Sequence, residues 1–295
     1  MIYCGIGDEA GNSVESQILA TRELGWSNIE ARNVLIDGHP KANLHDLVPE
    51  AFEKAVELLQ SSGVQIYCFA STIGNWAKRI EDPFDITVDE VNRAIPRMQR
   101  LGTRFVRIMS YKVRDTEDQL EEERFRRLRE VTQRFLDAGV QPVHENCMNY
   151  GGMSWAHALR LLENVPGLKW VFDTANPVFN LDRSHKLPQP RQDPWEFWTK
   201  VRDRVVHIHV KDARWNLARG DADYTWPGEG DGAVWRILRD ALARGYDSGI
   251  SIEPHMVAVF HDSKAAVQDE ALRLNYVEYG CRLQRLIQEV RENLN

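Results

Sequence analysis

The feature that most constrains this chain is a short apolar, β-branched run that recurs eight times, with a helix-period stretch between successive copies. The runs fall at residues 2–6, 28–32, 65–71, 105–111, 142–146, 169–174, 205–211 and 250–253. Each is short enough for a strand and is flanked by glycine or polar residues. Between them, residues 14–24 carry Val14, Ile18 and Leu24 at helical spacing and end at Gly25. Residues 51–62 put Phe52, Val56 and Leu59 on one face and stop at Gly63, while 120–138 and 234–244 end at Gly139 and Gly245. A glycine there lets a helix end turn directly into the next strand. Alternating strands and helices specify a parallel sheet, and eight strands is the number that closes a barrel. The competing open, doubly wound sheet calls for a GxGxxG after the first strand, and this chain has none there.

A length of 295 residues admits two domains, but an α/β barrel uses this much on one. The expectation is therefore a single (β/α)8 barrel over residues 1–295, with the helical stretch 265–294 as a C-terminal extension that covers the barrel or joins a partner subunit. An apolar fraction of 43% excludes disorder, and no stretch approaches the ~20 apolar residues of a membrane span. Net charge is −7 with no basic run, which speaks against nucleic acid as a partner. EEERFRRLRE reads as a solvated helix face. The start, MIYCGIGDEAG, lacks the basic and long apolar regions of a secretory signal. Cys4, Cys68, Cys147 and Cys281 have no paired spacing, so reduced thiols and a cytoplasmic location are expected.

Loops that follow strands lie on the C-terminal face of a barrel, where sites are built. Two are long, 182–194 and 213–232, and both are candidates for a lid or a specificity loop. The strand ends carry the chemistry. Run five ends in HEN with Glu145, run six in FDTAN with Asp173, run seven reads HIHVKD with His209, and run eight ends in SIEPH with Glu253. These residues are 28, 36 and 44 positions apart, each close to one strand–helix unit. Neighbouring strands lie ~4.8 Å apart, so side chains at one level converge. Three carboxylates and an imidazole make a hard site for a divalent ion: Mn²⁺ foremost, with Mg²⁺, Co²⁺ and Zn²⁺ also suited.

Alternation sorts the neighbours. His207, His209 and Lys211 share the inward face of run seven, with His207 deeper and Lys211 at the mouth as a candidate catalytic cation. His255 lies above Glu253 and is a candidate general acid or base. His144 points outward and is structural. Asn146 is a candidate substrate contact, and Glu30 with Arg32 reads as a buried ion pair. Arg107 and Met109 share a face, and Trp76, Trp215 and Trp226 fall on loops where flat rings can cover a sugar or an aglycone.

Glu145, Asp173, His209 and Glu253, together with HENC, FDTAN, VVHIHVKD, GEGDG and GISIEPH in that order, resemble the xylose isomerase-like TIM barrel superfamily. The likeness is to its sugar phosphate isomerase/epimerase-type proteins and spans roughly residues 1–260. It implies that Glu145 and Glu253 both bind the metal and carry the substrate proton, as in ketose 3-epimerases. Two positions depart from those enzymes. Asn176 stands where they have a substrate-binding histidine, and Trp215, preceded by Arg214, stands where they have an arginine.

The expected activity is a metal-dependent isomerase or epimerase that transfers a proton next to a carbonyl of a sugar-like small molecule. A lyase-type deglycosidase subunit, eliminating an aglycone from a 3-oxo-glycoside at the same site, is the alternative. A metal-dependent phosphodiesterase resembling barrel endonucleases is disfavoured by the acidic balance and the single ligand histidine. The expected assembly is a homo-oligomer, or a hetero-oligomer with a second subunit.

Overall fold

The eight runs become eight strands in a computed structural model, which describes residues 1–257 and 269–294. They are β1 (Ile2–Gly5), β2 (Asn28–Ala31), β3 (Gln65–Ala70), β4 (Phe105–Ile108), β5 (Gln141–Glu145), β6 (Lys169–Asp173), β7 (Val205–Val210) and β8 (Gly249–Ile252). Hydrogen bonding runs β1-β8-β7-β6-β5-β4-β3-β2, every pair parallel. A parallel bridge between Ile6 and Glu30 spans the remaining seam. The chain is thus a (β/α)8 TIM barrel.

Eight helices form the outer ring: α1 (Val14–Glu23), α2 (Pro49–Ser62), α3 (Phe84–Leu101), α4 (Glu121–Asp137), α5 (Trp155–Asn164), α6 (Pro194–Val201), α7 (Val234–Ala243) and α8 (Asp269–Glu292). Gly63 and Gly102 end α2 and α3 at φ 70° and 64°, and an added Cβ there would meet nothing within 4 Å. The demand at these positions is for backbone conformation, not space. α8 takes the eighth place in the ring and buries Leu272, Tyr276, Tyr279, Leu283, Ile287 and Val290. The expected C-terminal helix is therefore part of the barrel's own cover; residues 265–268 of that expectation lie outside the described residues. Among the described residues no helix is long and apolar enough to cross a membrane.

Two expectations are corrected here. The charged stretch on α4 is not wholly solvated: Arg124 is fully buried and donates to the carbonyls of Gln119, Ser110 and Lys112. It satisfies the loop after β4, whose carbonyls would otherwise be orphaned. Residues 213–232 are also more ordered than a plain loop, since Asp212–Asn216 pairs antiparallel with Asp221–Thr225. The ribbon is anchored by the buried carboxylate of Asp212. It accepts from the backbone N–H groups of Gly228, Gly230 and Gly232 at 2.9 Å each, and from Ala213 at 3.0 Å. A Cβ on Gly230 or Gly232 would run into that carboxylate, while Gly228 takes a positive φ of 87°, which together account for the glycines of GEGDG.

Replacing Asp212 with alanine leaves the buried N–H groups of Ala213 and Gly232 without their acceptor and should cost about 2–4 kcal/mol. Denaturant unfolding of D212A measures it, and an unchanged midpoint would contradict the anchoring role.

Candidate metal centre

Inside the lower barrel Cys4, Tyr67, Cys68, Phe105, Val143 and Val171 pack against one another. Above them stands Glu30, fully buried on β2. Its Oε2 accepts from His207 Nε2 at 2.7 Å, His209 Nε2 at 2.9 Å and Ser251 Oγ at 2.7 Å. Burial opposes ionisation of Glu30, but the two histidines hold its pKa well below the ordinary carboxylate value. With Nε2 committed to Glu30, His209 turns Nδ1 toward the mouth of the barrel. The expected Glu30–Arg32 pair does not form. The ladder of β2 shifts between Ile29 and Glu30, and Arg32 instead binds Asp8 at 2.9 Å and Glu253 Oε1 at 2.9 Å.

Glu145 ends β5, Asp173 ends β6, His209 lies on β7 and Glu253 follows β8. One ligand atom from each lies within 4.8 Å of all the others, and all four residues are buried. Basic groups hold the outer oxygens. Arg107 Nη1 donates to Glu145 Oε2 at 2.8 Å, and Asn176 Nδ2 donates to Glu145 Oε1 at 2.9 Å. Lys211 Nζ bridges Glu253 Oε2 at 2.9 Å and Asp173 Oδ2 at 3.0 Å. The backbone N–H groups of Ala175 and Asn176 bind Asp173 Oδ1 at 2.9 and 2.7 Å.

The electrostatics follow from this crowding. Burial, with Glu253 and Glu145 nearby, pushes Asp173 up to about 6 despite Lys211. Burial acts the same way on Glu253, but Lys211, His255 and Arg32 keep its pKa well below the usual range. Burial disfavours charge on His209, yet Glu30, Glu145 and Glu253 raise it to about 9. His209 Nδ1 is buried without a hydrogen-bond partner among the described residues, 3.9 Å from Glu145 Oε2 and 4.0 Å from Glu253 Oε2.

These residues fit a divalent cation. Six buried carboxylates (Asp8, Glu9, Glu30, Glu145, Asp173, Glu253) face only three fixed cations, Arg32, Arg107 and Lys211. The unpaired Nδ1 and three carboxylates form a hard donor set aimed at one point.

A cavity of about 180 Å³ opens over the centre, lined by Glu145, Glu253, His255, Lys211, Asn176 and Trp76 among others. His255, with φ 54°, is held by Glu9, which accepts from its backbone N–H at 2.8 Å and from Nδ1 at 2.6 Å. Its Nε2 is 3.8 Å from Glu253 Oε1. Other sequence candidates stand elsewhere. Asn146 spends its amide on the backbone of Asp173, accepting at 2.9 Å and donating at 2.8 Å, so it sets a ligand's position. Arg214 is exposed and donates to the Glu229 carbonyl. Trp215 lies under the Arg191 guanidinium at 3.4 Å, and Trp226 packs against Tyr279 and Arg282. Trp215 is paired with Ala222, two pairs nearer the ribbon turn than the Ala213–Tyr224 pair, so Tyr224 lines the cavity in its stead. His144 is structural, bonded to Ser110 at 2.9 Å and stacked on Trp170.

Sequence reasoning missed Glu9, Tyr224 and the pairing of Arg32 with Glu253. Glu9 had a legible signal: GDEAG directly follows an apolar strand, and its 3₁₀ turn, Gly7–Glu9, is wholly buried.

The model of the xylose isomerase-like TIM barrel family matches residues 18–276. No curated protein matches the chain. Among solved structures, a D-tagatose 3-epimerase-like protein is 18% identical with a TM-score of 0.73, covering 100% of both chains. The IOLI protein with a binding zinc atom is 16% identical with a TM-score of 0.68, covering 100% of this chain and 99% of that one. A xylose isomerase-like TIM barrel protein from Mycobacterium smegmatis in complex with magnesium is 15% identical with a TM-score of 0.66, covering 97% of each. At these identities the likeness is one of fold.

Two outcomes follow. Without metal His209 carries a proton up to about pH 9, so an ion bound through Nδ1 at pH 7.5 should displace close to one proton. Calorimetry of Mn²⁺ binding in buffers of differing ionisation enthalpy counts it, and zero release would contradict the ligand set. Glu30→Gln removes the anchor of His209 and should weaken ion binding roughly 10- to 100-fold; equal affinity would contradict the anchor.

Proposed function

Since the chain belongs to the xylose isomerase-like TIM barrel family, we propose that it is a divalent-metal-dependent isomerase or epimerase acting on a sugar-like keto substrate. The observation that carries this reading is the convergence of Glu145, Asp173, His209 and Glu253 from four successive strand units onto one buried point. Mn²⁺, Mg²⁺, Co²⁺ or Zn²⁺ bound there supplies Lewis-acid polarisation of a substrate carbonyl or hydroxyl pair.

The side chains do the rest. Arg107 and Asn176 on Glu145, and Arg32 and Lys211 on Glu253, fix both carboxylates in direction. In the proposal one of them takes the proton from the carbon next to the carbonyl and the other returns it. His255, whose Nδ1–H is committed to Glu9, presents Nε2 to the cavity as a second proton carrier. Lys211 faces the oxygen on which negative charge develops. Trp76, Phe179 and Tyr224 cover apolar faces of the substrate and narrow the path for water.

A second reading, elimination of a leaving group from a 3-oxo-glycoside, uses the same proton abstraction. It is favoured by the room beyond Trp76 and Met148, which line both this cavity and a neighbouring hollow.

Turnover of ketoses, cyclitol ketones and 3-oxo-glycosides in heavy water with Mn²⁺ tests both readings. Deuterium should enter a carbon next to the carbonyl, chelation should abolish the exchange, and Glu145→Gln should lower the rate by at least ~10². Released aglycone without an epimer selects elimination. Turnover with no exchanged carbon, or full activity after chelation, contradicts the proposal.

A further inference from the structure

Beyond the reaction cavity lies a second hollow of about 420 Å³, and Trp76, Cys147, Met148 and Phe179 line both. These shared residues make an apolar neck, with Trp76 and Met148 exposed at 40% and 39%. Large apolar side chains left this open beside a polar centre mark a surface that a ligand covers.

The polar groups of the outer hollow are of one kind. Arg191 lines it with its guanidinium held in place, stacked on Trp215 at 3.4 Å and donating to the Phe179 carbonyl. Lys112 and Arg183 stand exposed at its rim. Asn149 is fully buried, and its Oδ1 accepts from Ser110, which leaves Nδ2 a donor without a partner among the described residues. Asn180 Nδ2 is a second buried donor without a partner among the described residues. Both asparagines line the hollow. Three cations and two unspent amide donors face one carboxylate, Asp115, in a chain whose net charge is −7. Buried donors find acceptors, and a local positive cluster on an acidic protein concentrates anions.

We infer that the outer hollow is an anion subsite. It takes a carboxylate or phosphate borne at the far end of the substrate, joined to the polyol head through an apolar or planar link that lies in the neck. The inference rests on the inner cavity being the reaction site. It narrows the substrate to a two-part, acidic molecule, and excludes a small neutral ketose as the preferred one.

Binding of benzoate, phenyl phosphate and neutral benzyl alcohol, followed by ligand-detected NMR on the Mn²⁺-free protein, tests it. Both anions should bind at least about tenfold more tightly than benzyl alcohol, and the tighter of the two identifies the end group. Arg183→Gln and Lys112→Gln are surface changes that preserve the fold, and each should weaken the anions about tenfold. Glu145→Gln should leave them unchanged. Equal binding of the neutral probe, no binding of either anion, or wild-type affinity in both surface variants overturns the inference. Divalent-ion binding is followed on the same samples. Anion binding without ion binding supports the subsite and sinks the reaction-site reading, whereas ion binding without anion binding sinks the subsite alone.

Discussion

Three carboxylates pressed together at the mouth of a barrel repel, and the rest of the site is arranged around that repulsion. Two like charges ~4 Å apart cost about 4 kcal/mol at an effective dielectric of ~20, and here Glu145, Asp173 and Glu253 each bring an oxygen within 4.8 Å of the others. Arg107, Arg32 and Lys211 offset part of the cost by binding these carboxylates. With Asp8, Glu9 and Glu30 also buried around them, what they leave is a convergent, still negative centre with a single imidazole nitrogen, which is the environment a divalent ion stabilises.

Two carboxylate–histidine pairs set directions within that centre. Glu30 holds His209 from below and aims Nδ1 upward, and Glu9 holds His255 from the side and aims Nε2 at the cavity. Glu30 belongs to a barrel strand and Glu9 to the buried turn that follows β1, so both inherit the rigidity of the barrel. The loops contribute the variable part: Tyr224 from the ribbon anchored on Asp212, and Trp76, Met148 and Phe179 from the segments that follow β3, β5 and β6.

What could be read in the sequence divides along the same line. All eight strands and the convergence of Glu145, Asp173, His209 and Glu253 were legible, because side chains at the same level of adjacent parallel strands must meet whatever the loops do. His207, Lys211 and the outward His144 followed from alternation. Arg214, Trp215 and Trp226 did not, because their places depend on how residues 212–232 fold into a ribbon, which no strand periodicity dictates. Asn146 was read as a substrate contact, yet its amide closes on the backbone of Asp173. Arg32 binds Asp8 and Glu253 and not Glu30, because it stands beyond the end of β2 while the Glu30 carboxylate is taken by His207 and His209.

In the proposed function Glu145, Asp173, His209 and Glu253 hold one divalent ion. Anomalous diffraction from a crystal grown with Mn²⁺ locates that ion. A single strong peak is expected, bonded to His209 Nδ1 and to an oxygen of each carboxylate at ~2.0–2.3 Å, with Lys211 displaced from its bridge. A peak at another cluster, such as His45, Asp46 and Glu90, or no peak with Lys211 still bridging Asp173 and Glu253, would contradict it.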